Sequence, residues 1–176
     1  MWRNLLLTLI VLGRLAGQET DDIKKLSQQV VQLYQEGKYA AAALVAQKAL
    51  AVSERSLGPE HRDVGTNLNN LGEIYRAQGE YAKAEPLHVR AVAIREKVLG
   101  PEHPETATSL NNLALVYGSQ GAYAKAEQLH LRALTIREKV LGAEHPDTGA
   151  SLNNLAELYR APSVPTSSET LLFSNY

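Results

Sequence analysis

A chain of 176 residues with 44% hydrophobic content is long enough to bury a core of its own. Its formal net charge of −1, from 18 basic and 19 acidic residues dispersed along the chain, offers no basic field to a nucleic-acid backbone. There is no cysteine, which excludes a disulfide framework and thiolate metal sites and leaves the redox compartment open.

The chain starts MWRNLLLTLIVLGRLAG, with a positive charge, an apolar run from Leu5 to Leu12 and small residues at Ala16 and Gly17. That is the pattern of a secretory signal peptide over residues 1–17, cleaved after Gly17, and it predicts an exported chain, periplasmic or secreted. The run is shorter than the roughly 20 apolar residues a bilayer span requires, so the mature chain carries no stable membrane span. Arg14, close to the cleavage point, argues for the alternative: a cytoplasmic protein whose apolar N-terminal helix packs on the structure that follows.

Thr20 followed by Asp21 and Asp22 is a helix start, a capping residue with acids in the first turn. The helix runs to about Glu36 with Leu26, Gln29–Val30 and Leu33 as its core stripe. Gly37 turns the chain. A second helix over about Tyr39–Leu57 puts Ala42, Ala46, Ala49 and Val52 on its inner face, and Gly58-Pro59 ends it.

From here the chain repeats itself at a fixed offset of 42 residues. His61–Gly100 and His103–Gly142 are identical at 25 of 40 positions. Within the third unit Leu110, Leu113, Ala114 and Tyr117 share a helix face, Gly121 breaks that helix, and Tyr123, Ala126, His130, Ala133 and Ile136–Arg137 form the stripe of the next. Each unit is an antiparallel helical hairpin that cannot bury its apolar face without neighbours, which is the sequence signature of a stacked array. The array spans residues 18–160, with repeats at about 20–58, 62–100 and 104–142 and a half repeat at 146–160. Pro104 and Pro146 sit where a new helix begins. Pro86, where the next repeat has Gln128, deletes one backbone hydrogen bond and predicts a kink or a shifted helix start near Ala82–Pro86.

By the same offset Gly121 and Tyr123 should recur at 163 and 165, but Ser163 and Pro165 stand there. The fourth unit stops after one helix, and residues 161–176, rich in Ser, Thr and Pro, read as a flexible tail whose Leu171, Leu172 and Phe173 could fold back.

Leu68, Leu71, Gly72, Tyr75, Gly79, Tyr81, Ala84, His88 and Ala91 resemble the tetratricopeptide repeat family's pattern, with only the aromatic slot departing at His88 and His130. The lengthened unit, with LNNLA, AxxLxxRAL and REKVLGxxHP, is similar to the kinesin light chain type of repeat. The resemblance implies an all-α, right-handed superhelical solenoid of antiparallel helix hairpins, and a protein or peptide as partner.

No HExxH, phosphate loop, dinucleotide motif or GxSxG is present, so no catalytic residue and no cofactor is assigned. His61, His103 and His145 recur by 42, as do His88 and His130. Equivalent positions of stacked repeats lie on the order of 8–10 Å apart, too far to share a metal. The first three belong to the loops that start each hairpin, and the other two to an inter-helix packing slot. The runs Arg95–Lys97 and Arg137–Lys139 read as solvated helix faces with local charge pairs.

The remaining signal is a polar stripe on each first helix. Thr66, Asn69, Asn70, Glu73 and Arg76 share one face, repeated as Thr108, Asn111, Asn112, Leu115 and Ser119, and then as Asn153, Asn154, Glu157 and Arg160. Asparagine costs about 0.5–0.7 kcal/mol in a helix relative to alanine, yet the pair recurs three times. A side-chain amide both donates and accepts, so a column of them can hold an extended peptide backbone. The family resemblance implies a groove lined by first helices, with the second Asn of each pair touching bound peptide. The candidate groove is Asn69, Asn70, Glu73, Arg76, Asn111, Asn112, Leu115, Asn153, Asn154 and Glu157; the competing reading makes some of these amides braces between repeats. The function expected is a non-catalytic interaction scaffold. Its alternative is a self-associating module, a homodimer joined through the C-terminal half repeat.

Overall fold

The computed structural model describes residues 21–160. The leader at 1–17, the cap at Thr20 and the tail at 161–176 with Leu171, Leu172 and Phe173 lie outside the described residues. Among the described residues seven helices follow one another: α1 (21–35), α2 (Tyr39–Leu57), α3 (Arg62–Ala77), α4 (Tyr81–Leu99), α5 (Pro104–Ser119), α6 (Tyr123–Leu141) and α7 (Pro146–Arg160). No strand occurs among the described residues. Each helix from α2 onward packs on the next, and α3 touches α5 as α5 touches α7, so the first helices of successive hairpins line one side. The core is a chain of clusters, passing from Val30, Ala42, Leu71 and Ile74 to Val64, Leu68, Ala91 and Ile94. It continues through Ala107, Leu110, Ala133 and Ile136 to Ala114, Ala126, Leu155 and Leu158.

The turn inside each hairpin closes by one device. At the end of α3 the Gly79 amide donates to Arg76 O at 3.0 Å and the Glu80 amide to Tyr75 O at 2.8 Å, the paired bonds of a Schellman motif. That geometry needs a left-handed residue, and Gly79 has φ 76°. Between hairpins the repeated histidines have a definite task. His61, His103 and His145 accept through Nδ1 from the amides of Asp63, Glu105 and Asp147 at 3.2, 3.1 and 3.1 Å, capping α3, α5 and α7 where Ser or Asp more commonly does so.

Two expectations change. Helix α4 starts at Tyr81, the counterpart of Tyr123, so Pro86 does not shift the start. Ala82, whose carbonyl loses its partner to the proline ring, is exposed and faces water. Nor are the basic runs wholly solvated: Arg95 and Arg137 are each only 6% exposed. Arg95 donates to Glu105 O at 2.8 Å and to Thr66 Oγ1 at 3.2 Å, fastening its own hairpin to the next. The rest of each run is solvated and paired across repeats, Lys97 with Glu60 and Lys139 with Glu102. In the first repeat Ser53 stands where the arginine would be, and Asn67 donates to its hydroxyl instead.

Candidate binding groove

The ten residues of the polar stripes separate into two sets. Asn69 and Asn111, expected in the groove, are each 6% exposed and turned into the hairpin. Asn69 Nδ2 donates to Ser109 Oγ at 2.8 Å while its Oδ1 accepts from His88 Nδ1 at 3.0 Å; Asn111 Oδ1 accepts from His130 Nδ1 at 2.8 Å. They are braces, and the aromatic slots of the second and third repeats hold histidine because the neighbouring asparagine gives the ring a partner. The first repeat lacks both, with Ser27 and Ala46 at the matching positions. Asn153 corresponds to Asn69 and Asn111 but is exposed, since no helix follows α7 among the described residues to cover it.

The second asparagine of each pair lies elsewhere. Asn70, Asn112 and Asn154 are half-buried. Asn154 Nδ2 donates to Asn111 Oδ1 at 3.1 Å, tying α7 to α5, whereas Asn70 and Asn112 make no side-chain hydrogen bond among the described residues. Their amides are available.

Glu73 and Arg76 form a local network in the second repeat. Arg76 donates to Glu73 from Nε at 2.9 Å and Nη2 at 2.7 Å, and the Tyr34 hydroxyl donates to Glu73 at 3.0 Å. Burial opposes the Glu73 charge, but the Arg76 and Tyr34 hydrogen bonds outweigh it and hold the carboxyl below its ordinary range.

In the third repeat Leu115 and Gly118 replace Glu73 and Arg76, and the surface opens. A pocket of about 540 Å³ lies there, lined by Arg76 from α3, Leu115 and Gly118 from α5, His130 from α6, and Asn154 and Glu157 from α7. Four predicted residues from three successive first helices thus share one hollow. Gly118, Tyr123, His130 and Leu158, which also line it, were missed, and Ser119, which lines it too, was placed on the polar stripe but not in the candidate groove. Gly118 was legible, because the repeat offset sets it opposite Arg76 and Arg160, and a missing long side chain leaves a hole. Burial holds both His88 and His130 down at about 4, so the rings are neutral at pH 7. Among the described residues no three His, Asp or Glu converge to hold a metal ion, and no helix is long and apolar enough to cross a membrane.

The tetratricopeptide repeat pattern matches residues 21–97, 63–139 and 117–163. Among solved structures, a Podosopora anserina chain assigned as a kinesin light chain, with nearly identical TPR-like repeats, is similar at 28% identity and a TM-score of 0.72, over 78% of this chain and 65% of that one. BtubC (BKLC) from P. vanneervenii is similar at 25% identity and a TM-score of 0.71, over 78% of this chain and 55% of that one. This chain therefore spans less than two thirds of the length of either. No curated protein matches it.

Proposed function

The chain belongs to the tetratricopeptide repeat family, and on that premise we propose that it is a non-catalytic scaffold holding an extended peptide or a partner's loop along its first helices. The observation that carries the reading is the hollow shared by Arg76, Leu115, Asn154 and Glu157, which three successive first helices supply. Asn70 and Asn112 add amides with no hydrogen-bond partner among the described residues, each able to offer a peptide backbone one donor and one acceptor. At a net of about 0.5–1.5 kcal/mol per hydrogen bond, one or two bonds per repeat give weak binding, roughly micromolar. Selection from a displayed library of random 12-residue peptides, followed by the Asn70→Ala, Asn112→Ala double variant, tests this. Selected peptides should bind the double variant several-fold more weakly; equal binding removes the groove from the account.

Self-association through α7 is a second reading, favoured by Leu152, which is 47% exposed beside exposed Asn153 and Ala156. A concentration series in light scattering separates the two, since only an assembling module changes mass on dilution.

A further inference from the structure

The pocket between α3, α5 and α7 contains an acceptor with nothing to accept. His130 is 1% exposed, and its Nδ1 carries the ring proton, because Asn111 Oδ1 receives from it as well as from Asn154 Nδ2. Nε2 of the neutral ring is then a lone-pair acceptor without a hydrogen-bond partner among the described residues. The equivalent atom of His88 is sealed, its ring lying against the bare backbone of Gly72. His130 cannot take that seat, since Ala114 fills it with a Cβ, and it forms a wall of the pocket instead.

The charges around the hollow reinforce this acceptor. Arg76 is taken up twice by Glu73, so that pair adds little net field. Glu157 lines the pocket with no ion-pair partner among the described residues and is exposed. What remains is one carboxylate and one imidazole lone pair, with Leu115, Tyr123 and Leu158 as apolar wall. Such a lining suits a ligand group that donates protons, bears positive charge and has an aliphatic stem.

We propose that this pocket is a subsite for a basic side chain of the bound segment, lysine above all, whose N–H donates to His130 Nε2 while its charge lies near Glu157. The proposal rests on the groove reading and gives it a residue class. It also explains why the third repeat has glycine at 118, where the second and fourth have arginine: a long cation built into the chain would occupy the place of the incoming one.

Nuclear magnetic resonance of the full chain tests it with three probes, Nα-acetyl-lysinamide, Nα-acetyl-norleucinamide and Nα-acetyl-glutamate amide. The lysine probe should give saturable shifts at Gly118 and Ser119 and move the His130 Nε2 resonance in the direction of an accepted hydrogen bond. Gly118→Arg, a residue tolerated at the equivalent positions, should abolish them with the remaining spectrum unchanged, and Glu157→Gln should weaken binding about fivefold. Equal shifts from norleucine, tighter binding of glutamate, no saturable shift, or shifts that survive Gly118→Arg would each overturn the proposal. Peptides that bind through Asn70 and Asn112 without preferring lysine would defeat the subsite alone. A lysine probe that seats while no peptide depends on those asparagines would defeat the groove and leave the subsite.

Discussion

Arg137 Nη1 donates to Ser151 Oγ at 2.7 Å, which makes a residue of α6 the main polar fastening of α7. The same guanidinium reaches Asp147 O at 3.0 Å and Thr108 Oγ1 at 3.1 Å, so one buried side chain ties α5, α6 and α7 together. Arg137→Ala should cost about 2–4 kcal/mol, because it strands a backbone carbonyl and two hydroxyls. Arg137→Lys should recover little of this, having no planar fork to share among three acceptors. Chemical denaturation gives the total, and hydrogen exchange should show α7 loosening first; unchanged protection in α7 would contradict the assignment.

Adjacent asparagines should respond oppositely to the same change. Asn111→Ala leaves buried His130 Nδ1 without its acceptor and should destabilise by about 1–3 kcal/mol. Asn112→Ala loses no side-chain hydrogen bond to a described residue and gains helix propensity, so stability should rise by up to about 0.5 kcal/mol. Urea midpoints of the two variants decide it, and similar losses in both would mean that Asn112 also braces.

Stability should fall as pH drops from 6.5 to 4. His88 and His130 have folded values of about 4 against an ordinary 6.5, so the unfolded chain takes up protons that the folded rings refuse. Their contribution is complete above 6.5, declines through the window and is exhausted near 4. The 2.5-unit difference caps the loss at about 3 kcal/mol per ring. Glu73, depressed below its ordinary 4.5, adds its own loss only lower still. His88→Gln should flatten the slope of unfolding free energy by about 1.2 kcal/mol per pH unit between pH 6 and 5, and an unaltered slope would show that the ring takes up its proton alike in the folded and unfolded chain.

The exposed face of α7 is tested at Leu152. Leu155 is 9% exposed and packs within the last core cluster, so Leu155→Glu would break the fold, whereas Leu152→Glu changes only the exposed face. If the chain associates through α7, this variant should be monomeric at concentrations where the parent is not.

Export predicts a processed chain. Cleavage after Gly17 leaves Gln18 as the first residue, three positions ahead of α1, and spares every described helix. Intact mass from the native host should lack residues 1–17; a full-length mass would exclude it.

Architecture was legible because a 42-residue copy repeats its apolar spacing, glycines and prolines, and these fix helices locally. The helix expected at about 39–57 runs from Tyr39 to Leu57. The fate of polar side chains was not, since helical spacing cannot tell a stripe that faces solvent from one that faces the partner helix one residue round. Asn69 and Asn70 are neighbours in sequence, yet one is sealed against His88 and the other open. The sealed histidine was the clue: a buried ring in an aromatic slot needs a polar partner, and the asparagine nineteen residues before it is the one that recurs with it. Arg95 was misjudged for a similar reason, because a guanidinium on a charged run was assumed to reach water when the next helix start lay nearer.

The fastenings between hairpins also make length a free variable. Arg95 reaches back to Thr66 and forward to Glu105, and Arg137 does the same with Thr108 and Asp147, so these two junctions speak the same dialect on both sides. A duplicated 42-residue block inserted between them would meet matching acceptors before and behind, with no core to be redesigned around it. Gain or loss of a whole unit would therefore leave every surviving seam of this kind intact, and the reach of the proposed groove becomes a quantity that selection can count out in repeats.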